Sequence, residues 1–201
     1  MSGLLGLSRL IDGMNTRIGR WVSWLIVVAV VVSTSNAVIR KLFDMSSNAW
    51  LELQWVLFGI VFLLCSPWTL LSNEHIRIDI VNSMLPKRGR DWIDVIGHAL
   101  FLLPLTIVML ITSVPFALRS LNINEQSANA GGLPQWPSKM LLPIAFFLLF
   151  LQGVSELIKR VAIMRGLLAD TASGGGHHAA AEAEAERLLA AAGLEPPKPV
   201  H

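Results

Sequence analysis

Residues 53–72 read LQWVLFGIVFLLCSPWTLLS, and the nine that follow, residues 73–81, read NEHIRIDIV. Twenty residues without a charge give way to a segment in which ionisable side chains alternate with isoleucine. An α-helix needs about 20 apolar residues to cross a hydrocarbon core of about 30 Å, so the first stretch is a membrane span. The second then lies where the chain leaves the bilayer.

The same pattern recurs along the chain of 201 residues, which is 53% hydrophobic and has a mean hydropathy of +0.58. Arg20 to Arg40 encloses nineteen uncharged residues, Glu52 to Glu74 twenty-one, Asp94 to Arg119 twenty-four and Lys139 to Glu156 sixteen. The last run gains length from Leu157 and Ile158. These gaps predict four transmembrane helices at about 21–43, 50–72, 92–118 and 138–163. They leave a segment 1–20 before the membrane domain of 21–166 and a polar tail 167–201. The first run is too long for a cleavable signal peptide and ends in Arg40-Lys41 rather than a small-residue cleavage site. Cys65 is the single cysteine and lies inside the second span, where it has a packing role.

Lysine and arginine counts set the orientation. Arg9, Arg17, Arg20, Arg77, Lys87, Arg88, Arg90, Lys159, Arg160 and Arg165 make ten on one side; Arg40, Lys41, Arg119 and Lys139 make four on the other. Both termini are therefore expected in the cytoplasm. The tryptophans agree, with Trp21, Trp24, Trp68 and Trp92 towards the inner interface and Trp50, Trp55 and Trp136 towards the outer. The expected fold is an all-α integral membrane protein of four transmembrane helices, with a short interfacial helix between the second and third. Pro104 and Pro115 are candidate kinks in a third span long enough to tilt. The tail combines a glycine-rich linker with an Ala/Glu-rich segment of high helix propensity.

Strict alternation in HIRIDI fits a strand, but no other segment offers it a partner. As a helix, His75, Asp79, Asn82 and Ser83 share one face, and Arg77 falls within the apolar arc. Arg77 must then snorkel to the headgroups or meet a carboxylate. Two readings follow: a membrane-surface connector, or a docking patch for another protein.

NEHIRIDIV, at the inner edge of the second of four helices, resembles the His-x-Arg-x-Asp signature of the small permease subunit of tripartite ATP-independent periplasmic (TRAP) transporters. AWLELQW at 49–55 resembles that family's second helix with its acidic residue at Glu52. NEQSANAGGLPQWPSK at 124–139 resembles its periplasmic Glu-x-Ser loop, matched by Glu125 and Ser127, and LLFLQGVSELIKRV at 148–161 resembles its last helix. The likeness covers roughly 20 to 166. It implies a scaffold for a large permease subunit that carries the sodium-coupled pathway. It also implies a periplasmic solute-binding protein that delivers a carboxylate, with a monocarboxylate or 2-oxoacid hinted at by GGLP and LQGVSE. The expected location is the bacterial inner membrane, as a multi-pass protein among lipids, with no nucleic acid and no cofactor of its own.

Contacts with the partner subunit fall by this reading to Glu52, His75, Arg77 and Asp79; docking of the binding protein falls to Glu125 and Ser127. The blander alternatives are local. Glu52 sits in a first helical turn, where the macrodipole favours an anion, and has Arg40 and Lys41 across a short loop. Glu125 has Arg119 and Lys139 within reach. Asn36 and its hydroxyl neighbours Ser33, Thr34 and Ser35 serve as interhelical glue. His98 is the one histidine inside a span, too few for bis-histidine haem. The sequence holds no catalytic or phosphate-binding motif. A four-helix anchor or redox subunit of an enzyme complex is the alternative function. A self-sufficient transporter is disfavoured because charge is missing at mid-membrane depth.

Overall fold

The structure, a computed structural model, describes residues 2–44, 47–72 and 87–168. It is helical: α1 (Ser2–Ser23), α2 (Leu25–Phe43), α3 (Asn48–Leu71), α4 (Lys87–Ile96), a π-helical segment (Gly97–Leu102), α5 (Leu103–Asn122) and α6 (Trp136–Met164). Four helical runs are long and apolar enough to span a membrane: Gly3–Phe43, Asn48–Leu71, Trp92–Asn122 and Trp136–Met164. Among the described residues the only β feature is a bridge between Gln126 and Pro134. The expected interfacial helix at 73–86 lies outside the described residues, as does the tail from 169.

α6 is the hub. It packs along α5 and also meets α1, α3 and α4. α5 turns Thr106, Ser113, Ala117 and Ser120 inward, and α6 contributes Ala145, Leu148 and Gly153. Small residues let helices approach closely where lipid on the far side supplies no hydrophobic drive for association. The bulky side chains point outward instead: Trp55, Phe62, Leu100, Phe101 and Ile111 are exposed, which is the polarity expected of a surface that faces acyl chains.

The third span carries a feature that composition alone hides. Pro104 has no N–H and crowds the carbonyl four residues earlier. The helix responds by widening just before it into the π segment, where the Leu103 N–H reaches the His98 carbonyl. His98 donates from Nδ1 to the Asp94 carbonyl at 2.6 Å. Its ring is thus tied to its own helix. A Cβ on Gly153 of α6 would come within 3.1–3.2 Å of Leu102 and Leu103, so glycine lets α6 close on the widened turn.

The larger difference from expectation concerns residues 1–20. From Ser2 the segment forms α1, a helix of 22 residues that ends at Ser23 and docks on the bundle, a structure that the sequence leaves unassigned. The first span is correspondingly α2, whose 19 residues cover about 28 Å at 1.5 Å per residue. The junction at Trp24 is tightened by Trp24 N–H to Trp21 O (3.3 Å) and Val27 N–H to Trp24 O (3.1 Å), while Ser23 Oγ bonds back to the Arg20 carbonyl (2.9 Å). At the other end of α1's contact, Gly19 lies against Trp68 of α3: a Cβ there would sit 2.7–2.8 Å from that side chain, including its Cβ.

Gly19→Ala should therefore lower the thermal stability of the purified chain, by roughly 1–3 kcal/mol through overpacking. Gly13→Ala, at an exposed helical position with open space around it, should be neutral or stabilising by up to about 1 kcal/mol. Equal midpoints for the two variants would mean that α1 does not dock on α3 as described.

Candidate functional site

Polar side chains are concentrated at the two ends of the bundle. At one end, α3 begins with Asn48, two residues earlier than expected, so Glu52 lies in its second turn rather than its first, buried although it is an acid. An anion near a helix start is favoured by the unpaired N–H groups there, but a buried carboxylate also needs donors. The 123–135 connection supplies them. Glu52 Oε1 accepts from the Ser127 hydroxyl and from Asn129 Nδ2 (2.8 Å), and Oε2 accepts from the Leu133 backbone N–H at 2.6 Å. Ser127 Oγ in turn accepts from the Asn129 N–H (3.1 Å), and Asn48 donates to the Ala130 carbonyl (3.0 Å). The loop is wrapped around one carboxylate.

Glycine makes that wrap possible. Gly131 takes φ +70°, and a Cβ on Gly132 would stand 2.5 Å from Ser127 Cβ and 2.7 Å from Glu52 Oε1. The base of the loop closes through Gln135 N–H to Glu125 O (2.9 Å) and Glu125 N–H to Ser120 O (3.0 Å). Glu125 pairs with Lys139 at 2.5 Å, and the Lys139 ammonium also lies 4.6 Å from the Phe116 ring centre. The Lys139 hydrogen bond, with help from charge at Arg119, holds the Glu125 carboxyl below its ordinary 4.5.

The structure thus brings together Glu52 and Ser127, which are 75 positions apart, and sets Glu125 beside them at the base of the same loop. The hydrogen-bond partners described for Glu52 are loop groups rather than Arg40 or Lys41. Of the two cations within reach of Glu125, Lys139 makes the pair. His75, Arg77 and Asp79 lie outside the described residues.

A second polar cluster, at the end where α3 and α6 finish, is one that sequence reasoning missed. Gln152 is fully buried; its Oε1 accepts from Asn15 Nδ2 (2.7 Å), and its Nε2 donates to Asp12 Oδ1 (2.9 Å) and Glu156 Oε1 (3.0 Å). Ser155 donates to Asp12 at 2.7 Å and lies 2.7 Å from Ser8 Oγ. Lys159 bridges Asp12 (3.1 Å) and Glu156 (2.6 Å). Arg160 pairs with Asp94 of α4 at 2.8 Å. The available signal was periodicity: Ser8, Asp12, Asn15 and Gly19 recur at helical spacing, as do Gln152, Ser155, Glu156 and Lys159.

The loop clasp makes two predictions. Glu52→Ala removes the common acceptor, and Gly132→Ala forces a Cβ into it at a cost of about 1–3 kcal/mol. Both should expose 123–135 to protease several-fold faster than in the unaltered chain. Unchanged cleavage in either variant would remove the clasp. For Glu125 the folded value is lowered. The pair therefore stabilises the loop fully above the ordinary carboxylate value, and this contribution fades as pH falls through the lowered one. Loop protection measured by hydrogen exchange should persist at about pH 4.5–5 and weaken below. Lys139→Gln should weaken protection at neutral pH and flatten its acid dependence, and an unaltered pH profile in that variant would contradict the pairing.

Comparison with known families places this geometry. The family described as "Tripartite ATP-independent periplasmic transporters, DctQ component" matches residues 29–163. No curated protein and no solved structure matches the chain. The match takes in α3, the 123–135 loop, α5 and nearly all of α6, and so includes the whole Glu52 clasp and Gln152, whereas the α1 side of the second cluster precedes it. With four apolar helices and two thirds of its length inside the match, the chain belongs to the TRAP transporter small permease components, a transporter family and not an enzyme family.

Proposed function

We propose that this chain is the non-catalytic brace of its transporter. It holds the large permease subunit in the bacterial inner membrane while that subunit carries the sodium-coupled pathway for a carboxylate delivered by a periplasmic binding protein. The observation that carries this reading is the distribution of polar groups. Between Lys41 and Glu52 at one end of the bundle and Asp94 and Glu156 at the other, the span midsections hold no charged residue. An intramembrane coupling-ion or substrate site ordinarily marks itself with such residues. Here the acids at the bundle ends, Glu52, Asp12 and Glu156, are engaged by groups of the chain itself. A chain of this kind offers a partner a fixed shape.

The asymmetry of ten cationic residues against four supports cytoplasmic termini and a periplasmic 123–135 loop. Glu125 and Ser127 are read as shaping that loop from within. Ile123, Gln126 and Ala128, which are exposed, are then left to meet the binding protein. His75, Arg77 and Asp79 are assigned, from the family likeness, to contacts with the large subunit, and Glu52 acts there through the loop it holds. No cofactor is assigned to the chain.

Reconstitution tests the reading. Vesicles with the chain alone, an inward sodium gradient and the binding protein should take up no solute. Adding the large subunit should restore uptake, and the two should co-purify. Uptake by the chain alone would overturn the proposal.

A further inference from the structure

α1 crosses the bundle instead of running beside it. Ser8 meets Ser155 and Asn15 meets Gln152. Advancing seven residues along α1, about 10 Å, moves the contact only three residues along α6, about 4.5 Å. α1 then reaches α3 through Gly19, whose carbonyl lies 3.7 Å from Cys65 Sγ and whose Cα faces Trp68. Since α3 and α6 span the membrane, a helix steeply inclined to α6 and bridging the two lies close to the membrane plane.

The face that α1 turns to the bundle carries the polar Ser8, Asp12 and Asn15 with Gly19, and the buried Ile11 beside them. Its outward face is divided lengthwise. At 100° per residue, Leu7, Leu10, Met14 and Trp21 fall on one flank and Arg9 and Arg20 on the other, with Arg17 at the boundary beside Leu10. Leu10 is 67% and Trp21 78% exposed, and the three arginines are exposed. α1 also runs through Trp24 straight into the span α2, so this face is continuous with the lipid-facing surface. An apolar flank beside a basic flank on a membrane-plane helix is the pattern that seats leucine and tryptophan among upper acyl chains and arginine among headgroup phosphates.

We propose that the outward face of α1 binds anionic phospholipid, with Leu7, Leu10 and Trp21 inserted and Arg9, Arg17 and Arg20 on headgroup phosphates. These arginines thereby gain a binding role in addition to orienting the chain. The contact does not depend on which leaflet α1 occupies, nor on a brace function, and it stands or falls apart from both.

The test uses the full chain in phosphatidylcholine vesicles with trace spin-labelled phosphatidylglycerol or phosphatidylcholine. The unaltered protein should immobilise phosphatidylglycerol in preference, and the preference should fall about fivefold for each of Arg9, Arg17 and Arg20 changed to Gln. Arg40→Gln with Lys41→Gln, at the opposite end of α2, should keep it. Equal immobilisation of the two lipids, or loss of preference only in the Arg40/Lys41 variant, overturns the proposal. Because loss of three arginines also perturbs insertion, a second measurement leaves them in place: a nitroxide on Leu10→Cys in a Cys65→Ala background. Oxygen should reach the label and an aqueous nickel chelate should not. Access by nickel would place α1 in water, exclusion of both would mean that protein covers this face, and either result refutes lipid contact.

Discussion

A polar side chain inside a membrane protein cannot fall back on water, so its partners must come from the chain. Gln152 shows what that constraint builds. Its amide is filled on both atoms by Asn15, Asp12 and Glu156, and two of those partners belong to α1. To place an amide at that point of α6, the chain must carry a helix that presents Asp12 and Asn15 to it. That helix turns Ser8, Asp12 and Asn15 to the bundle along with Ile11, and leaves Leu7, Leu10 and Trp21 exposed beside its arginines; its leucines are placed in reverse of those on a soluble protein's surface helix. Lys159 completes the group by offsetting two carboxylates at once. A single pair of this sort at a surface adds little; shared among five side chains it fixes which faces of α1 and α6 meet.

The opposite end solves the same problem with a loop. Glu52 enters where α3 starts, and its carboxylate collects a hydroxyl, a side-chain amide and a backbone N–H from residues 75 to 81 positions later. A connection rich in Gly, Asn and Ser would ordinarily carry a high entropic penalty for holding one shape. One shared acceptor, two glycines that admit it and the Glu125–Lys139 pair at the base are what offset that penalty here.

The spans were legible because lipid imposes a length on them. Uncharged runs of about 20 residues have little use outside a bilayer, and α3 and α6 fall within a few residues of the ranges read from the sequence. The family likeness was legible as well, through motifs in order. Three features were not. α1 escaped because residues 1–20 carry no long uncharged run, and the polar residues that dock it, Ser8, Asp12 and Asn15, find their partners only on α6. The π turn escaped because Pro104 signals a disturbance but not its form. The partners of Glu52 escaped because proximity in sequence favoured Arg40 and Lys41, whereas the loop that supplies them is brought back by the α5–α6 hairpin, a tertiary fact.

The two clusters share a consequence. One joins α1, α4 and α6; the other joins α3 to the connection between α5 and α6. Each long described helix beyond α2 is therefore tied by hydrogen bonds at an end, and the midsections are left to small residues and aliphatic contact. Such a bundle resists sliding of one helix past another, because a shift of one turn, about 5.4 Å, would break a cluster outright and leave its carboxylates without donors. Asp12, Glu52, Asp94, Glu125, Lys139, Glu156, Lys159 and Arg160 are engaged in holding those ends, and the large side chains between them face outward.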